Sequence, residues 1–423
     1  MAKKQKYEWQ VGSTPPPLEE HSAAKHAVFR SYLQRYIEIL TSDPRHDGLA
    51  LTLVDGFAGG GAYSYQGQIR PGSPMILLDE IASAQAVFAA KRTKPFHFRP
   101  EFIFIEQQQG TLEHLRDIIA RSPHAPNLGT NIHLLNDAFE DALPTVIDSV
   151  QRHRGGHRAL FFLDQYGYGD VSLQAIRTIL DSLKNPEIIL TFNVDFIIAF
   201  LSEDDSFLRA VMPAELGVDH IRAMLALRDN GGREARWLIQ NFLYRHLQER
   251  TGAPYYTCFF IKSPKSHRSY WLVHISKHPR ARDEMANRHW ELTNHFIHHG
   301  RAGTQMLGFD PGKPIGQIPL DFLFDDDANA RSKSALMAEL PHRIFDARRV
   351  AAGGVTVGTL FTEICNTTPA TITRVSDAIV GLRAEGEVQI YTADGKERPR
   401  TQNCAWGDVI LPAVQRSMFS PFT

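Results

Sequence analysis

The segment Val54-Asp55-Gly56-Phe57-Ala58-Gly59-Gly60-Gly61 constrains this chain more than any other. An apolar run from Leu51 ends in an acid, and four glycines fall within the next six residues. Such a run reads as a buried strand. The glycines allow a tight turn that brings backbone close to a ligand. The same device recurs downstream. Phe102–Glu106, Ile132–Asn136, Leu160–Asp164 and Ile188–Asn193 are short apolar runs that close on a polar residue. Helical patterns near 74–90, 110–121, 138–151, 171–183 and 194–202 lie between or after them. Runs that are apolar throughout, alternating with helices, predict a parallel sheet buried on both faces.

Four segments follow from this alternation. Residues 1–49 read as an N-terminal extension with a helix. Pro15-Pro16-Pro17 stiffens the lead-in, and Ala24, Val28, Leu33, Tyr36, Ile37 and Leu40 recur at near-helical spacing. Residues 50–302 hold the α/β sheet, with 204–250 as a helical insertion or crossover. Tyr256–Phe260 and Tyr270–Ile275 read as a late antiparallel hairpin. Residues 303–344, with the acidic run Asp325-Asp326-Asp327, are expected to be a linker region. In 345–423, Val357–Cys365 and Ala370–Glu385 read as two helices about the turn Asn366–Pro369. The stretches 386–391 and 396–401 then read as a two-stranded wing, so this segment resembles a winged helix-turn-helix.

Cysteine usage excludes some chemistry. Cys258, Cys365 and Cys404 lie far apart and form no CxxC pair. No disulfide framework or metal spacing follows, so no metal site is expected. Free thiols suit a reducing compartment, and the chain lacks the ligands for an iron–sulfur radical enzyme. No run approaches about 20 uncharged apolar residues, and the N-terminus lacks an apolar signal core. A cytoplasmic protein without a membrane partner is expected.

The glycine segment resembles the first motif of class I S-adenosylmethionine-dependent methyltransferases. The acid, phenylalanine and two glycines of that motif fall at Asp55, Phe57, Gly59 and Gly61. The resemblance implies a Rossmann-like sheet with S-adenosylmethionine as cofactor. The turn would pass beneath its methionine moiety, with Asp55 near the amino group. Glu106, ending the second strand, has two acceptor oxygens for the paired ribose hydroxyls. The resemblance places Asp137 at the adenine amino group and Ala138 against the ring, with Asn136 as an alternative. A dinucleotide fingerprint would open a helix directly. Here Ala62 to Pro71 intervenes, and the next helix is expected at Gly72-Ser73-Pro74, with Ser73 as its N-cap.

Asp164-Gln165-Tyr166-Gly167-Tyr168 follows the fourth strand, where open sheets bind ligands. It resembles the catalytic motif of amino-methyltransferases, in which an acid or amide and an aromatic orient the target. Asp164 and Tyr166 are the expected catalytic residues. Gln165 and Tyr166 replace that motif's two prolines, so a nitrogen, oxygen or carbon acceptor stays open. The layout as a whole resembles the three-Cys-motif partner family. The segments that carry this are Asp55-Gly56-Phe57-Ala58-Gly59, Gly72-Ser73-Pro74, Phe162-Leu163-Asp164-Gln165-Tyr166-Gly167 and Lys277-His278-Pro279. A proline is more usual at Gln165. The resemblance implies a radical-type partner protein that carries the three cysteines.

The formal net charge is −1, so any nucleic-acid contact needs a local patch. Residues 262–301 hold a basic excess interleaved with aromatics, and Lys277, Arg280 and Arg282 are its expected phosphate contacts. In the winged helix, Thr371, Thr373 and Arg374 would face the groove, while Lys396, Arg398 and Arg400 would meet phosphate. The leading reading is methylation of a nucleic-acid base, DNA or RNA. The alternatives are a non-catalytic scaffold of the same fold that binds DNA or a protein, and a methyltransferase for small molecules or proteins.

Overall fold

The run Leu51–Val54 lies within β1 (Gly48–Asp55), whose last six residues are all buried. A strand wetted on neither face needs neighbours on both sides, and the chain supplies them. The computed structural model describes residues 7–43, 45–91, 94–153, 157–165, 168–232, 235–262, 269–292, 296–298, 303–304, 322–323, 326–399 and 402–413. It divides into two units, Met1–Ile297 and His298–Thr423.

In the first unit α1 (Glu20–Leu40) precedes β1. A hairpin of β2 (Ala62–Tyr65) and β3 (Gln68–Pro71) follows the glycine turn. Gln66 and Gly67 both have positive φ, which gives the two-residue turn whose twist suits a hairpin. Then come α2 (Ser73–Lys91), β4 (His97–Ile105), α3 (Gln109–Ala120), β5 (Ile132–Leu135), α4 (Phe139–Arg152), β6 (Arg158–Leu163), α5 (Leu173–Ser182) and β7 (Asn185–Phe192). Helix α6 (Val194–Ala199) follows, and the stretch expected as an insertion holds α7 (Asp205–Val211), α8 (Val218–Asn230) and α9 (Ala235–Thr251). The unit closes with β8 (Tyr255–Lys262), β9 (Ser269–Ser276), α10 (Pro279–Glu291) and the short β10 (Phe296–His298).

The strands stand in the order β10-β8-β9-β7-β6-β1-β4-β5. Strands β5, β4, β1, β6 and β7 run parallel. Strand β9 runs antiparallel between β7 and β8. A dinucleotide-binding sheet ends in a sixth parallel strand. Here a late hairpin with its second strand inserted takes that place, and the result is the class I methyltransferase sheet. From β1 the chain steps outward to β4 and β5, then returns to β6 and steps the other way to β7. Right-handed crossovers in opposite directions put α2 and α3 on one face and α4 and α5 on the other. Helix α1 packs on α2 and α10, while α5 packs on α4 and α9. The reversal opens a crevice between the ends of β1 and β6, and ligands of open sheets bind in such crevices.

The second unit holds β11 (Phe322–Leu323), α11 (Asp326–Ile344), α12 (Ala347–Ala351), β12 (Val355–Thr356), α13 (Val357–Ile364), α14 (Ile372–Ala384), β13 (Val388–Tyr391) and β14 (Val409–Pro412). The region expected as a linker therefore contains a core helix. Leu336, Leu340 and Ile344 repeat every four residues along α11 and are fully buried, and α11 packs on α14. Residues 305–321 and 324–325 of that region lie outside the described residues. The wing also differs from expectation. Strand β13 pairs with β14, and 396–399 forms a loop with one bridge, Tyr391 to Glu397. Ile390 and Ile410 face the core at 1% and 0% exposure, whereas the 396–399 stretch has no apolar side chain except Pro399 to bury.

Candidate functional site

The glycine turn is tied to both neighbouring strands. The Gly56 N–H donates to the Phe162 carbonyl at the end of β6 (3.0 Å), and the Ala58 N–H donates to Ile105 at the end of β4 (2.9 Å). Gly61 has φ +80°, and a Cβ there would stand 2.7 Å from Leu115 Cδ1. A Cβ on Gly60 would meet the Trp9 indole at 2.3 Å. Trp9 donates from Nε1 to the Ala62 carbonyl (2.8 Å), so the N-terminal extension roofs the turn. Buried His114 supports it from below, donating from Nδ1 to the Gly60 carbonyl (2.6 Å). Neither Trp9 nor His114 carries a local sequence signal, because each acts across some fifty residues or more.

Asp55 is fully buried at the end of β1. Its Oδ1 accepts from the Phe57 N–H (3.1 Å), while Oδ2 lacks a well-aligned donor. Burial raises its carboxyl to about 7, against the pull of the Ser73 hydroxyl and the Phe57 N–H; the nearby Asp164 and Glu106 carboxylates add to the rise. Ser73 is thus a partner of Asp55. The N-cap place expected for Ser73 goes to Gly72, whose carbonyl accepts from Ile76 (3.0 Å). Glu106 bridges two loops, accepting from Gly59 at Oε2 (3.1 Å) and from Gln108 at Oε1 (2.8 Å). Burial raises its carboxyl, and those backbone donors offset part of the rise. Asn136 donates to the Glu106 and Gln107 carbonyls (2.9 and 3.0 Å), so its amide is spent on the loop. Asp137 is exposed and accepts from the Ala138 N–H (2.9 Å).

Glu106 and Asp137 share a cleft of about 440 Å³, within the size range of small-molecule sites, and Asp55 lies behind the Gly56–Phe57 wall. Phe57, Glu106, Asp137 and Ala138 line the cleft, as do Glu140, Asp141 and Asp170, with no Lys or Arg among the described residues of its walls. Phe57 and Phe139 lie ring to ring at 6.0 Å. The donor set fits S-adenosylmethionine. Asp55 offers an unsatisfied carboxylate oxygen for an ammonium, and Glu106 retains lone pairs for hydroxyls.

At the end of β6, Asp164 Oδ1 receives Lys25 Nζ of α1 at 2.5 Å. Burial alone would raise the Asp164 carboxyl; Lys25, aided by the Thr191 hydroxyl and His26, holds it below the ordinary range. Gln165 is 2% exposed, and its Oε1 accepts from the Asp170 and Val171 N–H groups (3.0 and 3.1 Å). It clamps the loop that leads into α5. Tyr166 and Gly167 lie outside the described residues. Gln165→Leu is expected to speed amide exchange at Asp170 and Val171 about tenfold, since each lost bond contributes about 1 kcal/mol. Unchanged exchange there would remove the clamp role.

The expected nucleic-acid contacts are mostly committed elsewhere. Arg282 is fully buried and cannot reach a phosphate backbone. Lys277 donates from Nζ to the Leu180 and Leu183 carbonyls (2.8 and 3.2 Å), capping the C-terminus of α5. His278 and Pro279 start α10, with His278 Nδ1 accepting from the Arg280 N–H (3.1 Å). The motif around Lys277 therefore staples two helices. Arg280 is exposed. In the second unit Thr371 is buried as the N-cap of α14, and Arg374 reaches Asn329 Oδ1 (2.9 Å). Arg398 is half-buried and pairs with buried Asp408. Lys396 and Thr373 are exposed, with Lys396 beside Asp394 (3.1 Å). Residues 263–268, 299–302 and 400 lie outside the described residues. Among the described residues, no group of three or more His, Cys, Asp or Glu side chains is arranged to hold a metal, and no helix is long and apolar enough to cross a membrane.

The family model described as the GMT-like wHTH domain matches residues 308–395. No curated protein matches the chain. Among solved structures, the chain is similar to protein LPL1258 from Legionella pneumophila str. Philadelphia 1, with 10% identity and a TM-score of 0.34, covering 60% of this chain and 84% of that one. It is similar to the plantazolicin methyltransferase BamL in complex with SAH, with 10% identity and a TM-score of 0.24, over 61% and 87%. It is also similar to Trm1 from Pyrococcus horikoshii with S-adenosyl-L-methionine, with 12% identity and a TM-score of 0.29, over 95% and 94%. Likenesses of this depth carry no functional weight. The fold stands on the strand order: a class I methyltransferase sheet, followed by a winged helix-turn-helix unit.

Proposed function

We propose that the first unit binds S-adenosylmethionine and directs its methyl group to a nucleic-acid base. The observation that carries the cofactor reading is the charge of the cleft. Among the described residues its walls hold five carboxylates, Glu106, Asp137, Glu140, Asp141 and Asp170, without a cationic side chain, and buried Asp55 stands behind them. A dinucleotide would set its pyrophosphate against these charges. S-adenosylmethionine brings an ammonium and a sulfonium instead, and opposite charges at short range favour it. When bound, the cofactor supplies a methyl group on a positively charged sulfur. Asp55 would hold the ammonium, Glu106 the ribose, and Asp137 with Ala138 the adenine edge. Asp164 and Tyr166 would orient the acceptor, and transfer then depends on alignment.

The winged helix in the second unit supports a nucleic-acid acceptor, since its second helix suits a major groove. Lys277, Arg280 and Lys396 are the exposed cations of the expected set, and Lys277 is engaged in capping α5. The resemblance to the three-Cys-motif partner family supports a radical-type protein as co-worker. A scaffold without catalysis is the second reading, and the engagement of Arg374 with Asn329 and of Arg398 with Asp408 favours its protein-docking form over its DNA-binding one.

Calorimetric titration separates these readings. Micromolar binding of S-adenosylmethionine and S-adenosylhomocysteine, without NADH binding, is expected. Glu106→Ala is expected to weaken both about tenfold or more, through loss of hydrogen bonds to a charged acceptor. Parent-like affinity in this variant would dismiss the ribose role, and absence of binding in the folded parent would leave the scaffold.

A further inference from the structure

The N-terminal helix reaches into the acceptor end of the site. Lys25 leaves α1 with its side chain 6% exposed and meets Asp164, itself 20% exposed, at the end of β6. The Tyr270 ring of β9 lies 5.9 Å from the ammonium. Asp164 is the strand-end acid next to Asp55, since Asp55 and Phe162 are register partners on adjacent strands. The groups that face Asp164 are Lys25 and His26 from α1, Thr191 from β7, Asp55 from β1 and Tyr63 from β2. Burial keeps His26 neutral, with a value of about 4. Lys25 is therefore the counter-charge to Asp164 at neutral pH.

This matters because the reaction changes charge. The methyl donor carries a sulfonium, and the product carries a neutral thioether. An uncompensated carboxylate beside that sulfur would stabilise the donor more than the transition state, in which the positive charge is dispersing, and so would slow transfer. We propose that Lys25 is a positioning residue that neutralises and orients Asp164, and that the pair sets how the site discriminates methyl donor from demethylated product. This rests on the reading that the cleft binds S-adenosylmethionine. It makes the N-terminal extension part of the site.

The test is the ratio of S-adenosylmethionine to S-adenosylhomocysteine affinity, measured by calorimetry on the full chain. Lys25→Met leaves the carboxylate unbalanced, and the ratio is expected to rise about tenfold, as one unit charge acting over about 10 Å at an effective dielectric near 20 implies. Titration on the alkaline side of neutrality favours the ionised carboxyl in this variant, where burial raises it without Lys25 to offset the rise. Asp164→Asn leaves the ammonium unbalanced, and the ratio is expected to fall by a similar factor. Lys25→Arg should keep the parent ratio. Opposite shifts in the two variants support the proposal, because a packing defect would weaken both ligands alike. Shifts of the same sign, or none in folded variants, would overturn it. Should Lys25→Met not fold, Lys25→Gln provides the same reading. A parent that binds neither ligand defeats the cofactor reading itself, which is a separate outcome.

Discussion

Asp55→Asn is expected to make the ligand-free protein more stable and to abolish cofactor binding. The folded protein holds this carboxyl at about 7, against an ordinary value of 3.8. Its proton is bound more tightly in the folded state than in the unfolded one. The folded state is therefore favoured while the group stays protonated, and that advantage is lost as pH rises through 7. At pH 8 the burial of this charge costs about 2–4 kcal/mol, the wider figure being the full shift at 1.36 kcal/mol per unit. Asparagine has the same shape without the charge. Urea denaturation of both proteins should show a difference that grows from pH 5 to 7 and is level above, on the ordinary scale of such linkage. A difference independent of pH would mean that the carboxyl is not perturbed. The same change should weaken S-adenosylmethionine at least about a hundredfold, since the ammonium loses a buried ionic partner. Both outcomes together would support the proposed role of Asp55 as the partner of the cofactor's ammonium.

Arg398→Met is the second large effect, and it concerns the winged helix. Arg398 is 16% exposed and Asp408 2%, and they pair through two contacts. Asp408 also accepts from the Ala405 N–H (2.7 Å), and Arg398 reaches the Asn403 carbonyl (3.1 Å), so the pair ties the 398–408 loop. Removing the arginine leaves a buried carboxylate uncompensated, at a cost of about 3–5 kcal/mol. Amide exchange in β13 and β14 should accelerate by more than a hundredfold, while β1 and β6 of the first unit stay unchanged. Lys396→Met, two residues away and exposed beside Asp394, should alter stability by less than about 0.5 kcal/mol. Equal effects from the two changes would show that Arg398 is a surface cation after all. If the second unit binds nucleic acid, Lys396→Met should weaken that binding without unfolding it.

The parallel strands were legible because their signal is local. Short runs that are apolar on both faces leave no wet side, so a strand such as Leu51–Val54, in which only Thr52 is polar, or Leu160–Leu163 must be buried whatever surrounds it. Asp55 and Glu106 were legible for the same reason, as polar residues where such runs end. The fates of the cations were not. Lys277, Arg282 and Arg398 read as a basic surface, and the fold spends them on a helix end, a core and a buried pair. Charge counts along a chain do not say which cations meet a partner inside it. Gln165 read as a departure from a motif and proves to clamp a loop through its side-chain carbonyl.

Local apolar runs and glycine spacing thus determined the parallel strands, the glycine turn and the acids at the strand ends, because strand burial and turn geometry depend on residues a few positions apart; the roles of those acids came from the family resemblance. Only the tertiary structure decided that Lys25 meets Asp164 across 139 residues, that Trp9 covers Gly60, and that Asp55 is buried deeply enough to titrate near neutrality. Each of those depends on desolvation and on partners brought together by packing, and neither quantity is encoded by spacing along the chain.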